Sequence, residues 1–356
     1  MPDIQLIAAA DPAALAPFDM IIDVRSPAEF AEDHVPGAVN LPVLSNEERA
    51  RVGTIYVQDS PFRARRLGAA LVARNVAAHL ETALADRGGG FQPLVYCWRG
   101  GQRSGAMAAI LSQVGWRTAL LSGGYKTYRR HVTARLYDDK ASLNLVLIDG
   151  RTGSAKTEIL GRLGARGLQT LDLEALAGHR GSVFGGIGRV QPSQKMFESR
   201  LLAALDRLDP AQPIVVEAEA SKVGDRMVPP LLWRAMAGAP RIILTAPSDA
   251  RARYLATRYG DAVADRAAFD AALARLPVYP GRKALAAFHA LADAGDLEGL
   301  ALDLIETHYD PAYDRASAKT SRPGLATVIL AGLDDSDQEA AADRILALVR
   351  SADLTA

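Results

Sequence analysis

Seven short apolar runs set the first constraint: DMIIDV at 19–24, PLVYC at 93–97, TALLSG at 118–123, LNLVLIDG at 143–150, PIVVEAE at 213–219, PRIILTA at 240–246 and ATVILAGL at 326–333. Helix-like stretches lie between them. Strands covered on both faces read as continuous apolar runs, and consecutive parallel strands need a crossover, usually a helix. The pattern predicts an α/β fold with mostly parallel sheets. A length of 356 residues suggests two or three domains. The charged, glycine-free stretch RLYDDKASLN at 135–144 ends one series of units, and a fresh strand follows at once. We therefore expect one α/β domain over 1–138 and a second over 139–356.

Composition narrows the function classes. Lys plus Arg and Asp plus Glu are each 41, so no global field draws the chain to nucleic acid or an anionic membrane, and any such contact must rest on local patches. The single cysteine, Cys97, excludes an intrachain disulfide and a multi-cysteine zinc site. The N-terminus lacks a basic flank before an apolar core, and no run reaches the ~18 apolar residues of a membrane span. A soluble protein of the reducing cytoplasm, with no membrane contact, is the expectation.

Cys97 ends an apolar strand and is followed by WRGGQRSGAMAAIL, a glycine-rich bend that opens a helix near Ser104. Backbone N–H groups at such a helix start, together with the cations Arg99 and Arg103, favour thiolate over thiol and can also hold an oxyanion. This predicts a nucleophilic sulfur, with Cys97, Arg99 and Arg103 as the catalytic candidates. A lone cysteine at a strand end can also be a small buried hydrophobe.

A second device lies in LNLVLIDGRTGSAKTEIL at 143–160. A strand, a turn with glycines and a Lys-Thr pair opening a helix together predict a phosphate cradle made of Gly150, Thr152, Gly153, Ser154, Ala155, Lys156 and Thr157. Ala155 stands where the pattern has its second glycine, which is tolerable if the backbone there is already helical. Asp172, Glu217 and Glu219 end or follow apolar segments and are acidic candidates near a metal or a reacting group. Mg²⁺ is compatible with one or two such carboxylates. The Gly-rich stretch 177–200 reads as a functional loop carrying His179, Arg180 and Ser182. Arg251, Arg253 and Arg258 are read as sharing one face of a later helix.

The segment DVRSPAEFAEDHVPGAVNLP at 23–42, taken with the cysteine loop, resembles the rhodanese family, in which a cysteine carries sulfur. The resemblance makes Asp23, Arg25 and His34 structural. Cysteine phosphatases share the Cys-five-residues-Arg spacing, but the loop here offers no general acid. The later segments DLEALAGHRGSVFG, QPSQKMFE, VVEAEASKVG and HYDPAYDRAS, with the insertion at 46–75, make the whole similar to the tRNA 2-selenouridine synthase family. That resemblance implies a rhodanese-like domain followed by a P-loop NTPase-like domain. It also implies replacement of sulfur by selenium in a wobble 2-thiouridine of the tRNA anticodon. Its substrates would be selenophosphate and geranyl diphosphate, with an S-geranyl intermediate, no tightly bound cofactor, and transient contact with a selenophosphate-producing enzyme. Arg63, Arg65, Arg66, Lys126, Arg129 and Arg130 are the local basic groups for the RNA. A cysteine phosphatase or sulfurtransferase with a nucleotide-binding domain, and a non-catalytic nucleotide sensor, are the competing readings.

Overall fold

The computed structural model describes residues 3–258, 260–276, 281–318 and 323–352. The chain divides into two compact units, one comprising Met1–Asp139 with Glu198–Asp206, the other Lys140–Phe197 with Arg207–Ala356.

In the first unit five parallel strands form one sheet: β1 (Gln5–Ile7), β2 (Met20–Asp23), β3 (Val39–Asn40), β4 (Pro93–Tyr96) and β5 (Ala119–Leu121), in the order β1-β5-β4-β2-β3. β4 is wholly buried, as its uninterrupted apolar sequence requires. Ile22, Val24 and Val95 pack there with Met107, Leu111 and Trp116. Asp23 and Tyr96 are register partners at the ends of β2 and β4, so Arg25 and Cys97 both leave the carboxyl edge of the sheet.

Two helices, Asn46–Gln58 and Pro61–Glu81, form a hairpin on this unit. Ser45 and Glu48 make a reciprocal cap at the first, and Ser60 caps the second with Pro61 at its first turn. Leu71, Val72 and Val76 bury one face against the core, and Val52 packs on it too.

The second unit has β6 (Leu145–Gly150), β7 (Gln169–Leu171), β8 (Ile214–Glu217), a small antiparallel pair β9 (Lys222–Val223) and β10 (Arg226–Met227), then β11 (Arg241–Thr245) and β12 (Gly324–Ile329). The main sheet is parallel, in the order β12-β11-β6-β8-β7. The Lys156–Ala165 and Asp335–Ser351 helices pack together over it through Ile159, Leu163, Ala342 and Ile345. Phe184, Phe269, Phe288 and Leu300 form a separate apolar cluster.

Six of the seven apolar runs contain a strand, and the seventh overlaps one. The last strand is Gly324–Ile329 rather than 326–333, because Asp334 already caps the next helix. Residues 198–206, read as part of the second domain, group with the first unit because Glu198 accepts from Arg129 and Tyr137, and Asp206 pairs with Arg135. Among the described residues, no helix is long and apolar enough to cross a membrane.

Candidate functional site

Cys97 is 3% exposed, yet its surroundings are polar. Gly101 N donates to its sulfur at 3.3 Å, and the Ser104 hydroxyl does so at 3.2 Å. The Gln102–Val114 helix begins here with no side-chain cap, leaving its first N–H groups directed at the sulfur. Burial alone would push the thiol up. Hydrogen bonds from the Ser104 hydroxyl and from the Ser104, Arg99 and Gly101 N–H groups outweigh it and hold the thiol below its ordinary value.

The loop keeps this shape because a second loop backs onto it. Tyr125 N donates to Cys97 O at 2.8 Å. A Cβ on Gly124, whose φ is +59°, would lie 2.2 Å from Cys97 O, so only glycine fits.

Arg103 does not supply the cation expected beside the sulfur. Its guanidinium donates to Glu29 at 2.8 Å, and Glu29 also receives Arg49 at 2.9 Å. Arg99 contributes its backbone N–H to the thiolate. Asp23 and Arg25 form a buried pair at 2.6 Å, with the Arg25 guanidinium 4.2 Å from the Tyr125 ring centre. Arg129 is likewise withdrawn from the proposed RNA patch, since Glu198 binds it. Ser104, the strongest side-chain donor to the sulfur, carries no sequence signal beyond its place in the loop.

In the second unit, the turn after β6 and the Lys156–Ala165 helix line a cleft of about 650 Å³. Thr152 to Thr157, Asp172, His179, Arg180, Ser182 and Glu219 all line it. Lys156 Nζ donates to Gly150 O at 2.9 Å and to Arg151 O at 3.4 Å, so the ammonium lies over the turn. Ala155 has φ +55° and ψ +32°, a left-handed conformation, and is the sole non-glycine with positive φ among the described residues. The expectation of a helical backbone there is overturned: the turn keeps the geometry a glycine would give, and the alanine bears the strain.

The acids converge on Thr157. Its hydroxyl lies 2.7 Å from Glu217 Oε1 and 3.2 Å from Glu174 Oε2. Burial first, then the Glu174 charge, pushes the Glu217 carboxyl up; burial and the Glu219 charge do the same to Glu174. Burial also raises Glu219. Asp172 instead caps a short helix by accepting from Ala175 N at 2.7 Å. His179 Nδ1 accepts from Gly181 N at 3.1 Å, and burial disfavours its protonated form. Glu174 was missed by sequence reasoning, although it stands two residues beyond Asp172.

The three arginines of the later helix do not act together. Arg251 is buried and donates to both oxygens of Asp310, at 2.8 and 2.7 Å, and to Thr152 O at 3.2 Å. Arg253 pairs with Asp249 on the exposed side, and Arg258 lines the cleft beside Tyr254 and Glu158. Asp310, in HYDPAYDRAS, also receives Arg151 at 3.2 Å, so that segment buttresses the phosphate turn.

Beside the cleft lies a second, much smaller cavity of about 50 Å³, lined by Phe184, Leu255, Val263, Phe269, Leu297, Leu300, Ala301 and Leu304. Thr152, Ser182 and Leu255 border both. One wall is charged, the other apolar.

Comparison with known proteins agrees with these two devices. Residues 6–131 match the rhodanese-like domain, and residues 143–274 match the tRNA 2-selenouridine synthase AAA domain. The chain is 38% identical over 213 residues to a tRNA 2-selenouridine synthase of Nitrosomonas europaea, covering 59% of this chain and 55% of that protein. It is 35% identical over 240 residues to one from Bdellovibrio bacteriovorus, covering 65% and 62%. A Pseudomonas syringae pv. tomato relative of the same name is 38% identical over 231 residues, covering 63% and 61%. The matched region therefore spans less than two thirds of these relatives. A thiolate loop within the rhodanese-like match, a phosphate turn within the synthase-type AAA match, and relatives that share one name make this chain similar to the tRNA 2-selenouridine synthases.

Proposed function

We propose that the protein replaces the sulfur of a wobble 2-thiouridine in tRNA by selenium, through an S-geranyl intermediate. The observation that carries this reading is the pairing of a phosphate cleft with an apolar cavity across the shared residues Thr152, Ser182 and Leu255. A nucleoside triphosphate has no apolar tail for such a cavity. An isoprenoid diphosphate has both parts.

In the first step the thiouridine sulfur bonds to geranyl C1 as the C1–O bond to diphosphate breaks. Lys156 and the N–H groups of the turn offset the charge gathering on the departing diphosphate. A neutral carboxyl on Glu174, which lines the cleft, would supply a hydrogen-bond donor to it, which its upward shift supports. Among the described residues, no three His, Cys, Asp or Glu side chains form a metal cage. Thr157 with one or two of the acids, including the unpartnered Glu217 Oε2, fits the oxygen donors that Mg²⁺ takes while keeping several waters. Bound there, Mg²⁺ would neutralise diphosphate charge.

Alkylation turns a poor leaving group into geranylthiolate; the selenium of selenophosphate bonds to C2 as the C2–S bond to geranylthiolate breaks, and water then cleaves the P–Se bond, releasing phosphate and leaving 2-selenouridine. The Cys97 thiolate is assigned to handling the selenium atom. The relatives' shared name, that of a tRNA-modifying enzyme, supports action where tRNA is, in the cytoplasm, with selenophosphate delivered by its producing enzyme.

The test is incubation of the protein with an anticodon stem-loop containing 2-thiouridine, first with geranyl diphosphate and then with selenophosphate, followed by mass analysis of the nucleosides. S-geranyl-2-thiouridine should appear, then 2-selenouridine. Selenation without any alkylated species would overturn the two-step reading, and no change to the RNA would overturn the function.

A further inference from the structure

We propose that the far end of the helical hairpin, Asn46–Gln58 and Pro61–Glu81, holds unpaired bases of the RNA substrate; this rests on the tRNA reading above. Tyr56, Val57 and Phe62 stand there 52%, 82% and 70% exposed. The hairpin needs none of them for its own packing, which uses Val52, Leu71, Val72 and Val76. Large apolar side chains grouped at one exposed tip mark a contact surface.

Charge identifies the occupant. Arg51, Arg65 and Arg66 are exposed, and among the described residues no carboxylate pairs with them. The one acid between Glu48 and Glu81 is Asp59, which Arg63 already engages at 3.1 Å. Phe62, Arg65 and Arg66 stand at i, i+3 and i+4 and are neighbours on the helix surface. An apolar protein partner would have to desolvate three uncompensated guanidinium groups. RNA phosphates neutralise them, while bases stack on Tyr56 and Phe62 without regard to sequence.

The tip is held to the thiolate loop. Arg49, near the start of the first helix, binds Glu29, and Glu29 binds Arg103 at the start of the helix that follows Cys97. Seven residues separate Arg49 from Tyr56, a rise of about 10 Å. An anticodon loop resting on the tip thus has neighbouring nucleotides within reach of the unit that carries Cys97.

The experiment measures binding of the full chain to a fluorescent anticodon stem-loop and to a duplex of the same stem without unpaired bases, across a salt series. Tyr56→Ala with Phe62→Ala should weaken stem-loop binding at least about fivefold. Its salt slope, duplex binding and melting temperature should stay those of the wild type. Arg65→Ala with Arg66→Ala should flatten the slope by about 1.4, from two single-strand phosphate contacts. Wild-type affinity in the aromatic variant overturns the proposal and leaves the tRNA reading standing. Equal losses on stem-loop and duplex overturn base stacking, and a wild-type dimer lost in the aromatic variant assigns the tip to a second copy of the chain instead. A wild type that binds neither RNA overturns both readings.

Discussion

The Thr157 hydroxyl donates to Glu217 Oε1 at 2.7 Å while Glu174 Oε2 stands 3.2 Å from the same oxygen. One hydroxyl proton serves one carboxylate, so the second contact is satisfied by a carboxyl bringing its own proton. Burial raises both acids above their ordinary value of 4.5, with the Glu174 charge adding to the rise of Glu217 and the Glu219 charge to that of Glu174. Between that value and the raised ones the folded state binds more protons than the unfolded one, so stability falls as pH rises through that window and levels off above it. Urea unfolding against pH should show this decline, and Glu217→Gln should flatten it. A wild-type stability that climbs across the window would contradict the arrangement.

The thiolate of Cys97 is held by Ser104 and by N–H groups, not by the Arg103 guanidinium. Ser104→Ala should move the pH profile of alkylation by iodoacetamide upward and slow the reaction near neutrality roughly tenfold, as expected for losing a hydrogen bond to a charged group. Arg103→Ala should move it much less. If the arginine variant shifts the profile more than the serine variant, the sulfur's partners are misassigned.

Cys97→Ser should abolish selenation and leave geranyl transfer running, because the phosphate cleft and apolar cavity contain no part of the cysteine loop. Product analysis after each substrate addition separates the two. Selenouridine formed at wild-type rate would remove the thiolate from the mechanism.

Asp310→Ala leaves the buried Arg251 guanidinium without its carboxylate, at a cost of about 3 kcal/mol. Asp314→Ala removes an exposed partner of Arg151 and should cost under about 1 kcal/mol. Denaturant midpoints read both. Equal effects would mean Asp310 is no more of a buttress than a surface ion pair.

Lys156→Ala should weaken binding of inorganic diphosphate and lower the melting temperature only slightly, since its hydrogen bonds among the described residues go to turn carbonyls and it otherwise acts by charge on Glu174 and Glu219. Ala301→Phe fills the apolar cavity and should impair binding of geranyl diphosphate but not of inorganic diphosphate. Titration calorimetry with the two ligands distinguishes them. Loss of both ligands in the Ala301 variant would argue for a distorted cleft.

What the sequence made legible were features that one residue type settles locally. The buried run of β4 and the strand-turn-helix around Lys156 each announce themselves by pattern. β1, β3 and β7 went unread because strands of two or three residues, partly exposed, carry no periodicity. The electrostatics went astray for a different reason. Whether Arg103 faces the sulfur or Glu29, and whether Arg129 faces solvent or Glu198, depends on residues 74 and 69 positions away. Glu174 and Asp310 were passed over because their roles arise only when separate segments meet at the turn after β6. Ala155 shows the converse: its left-handed backbone is imposed by the fold against the residue's own preference.

Residues 198–206 complete a unit that otherwise ends at Asp139. A chain made from its N-terminus therefore exposes the strands of the first unit early but holds back the carboxylate that Arg129 binds until all of 140–197 has been synthesised. During synthesis, the unit that carries the cysteine becomes whole only after the phosphate turn has left the ribosome.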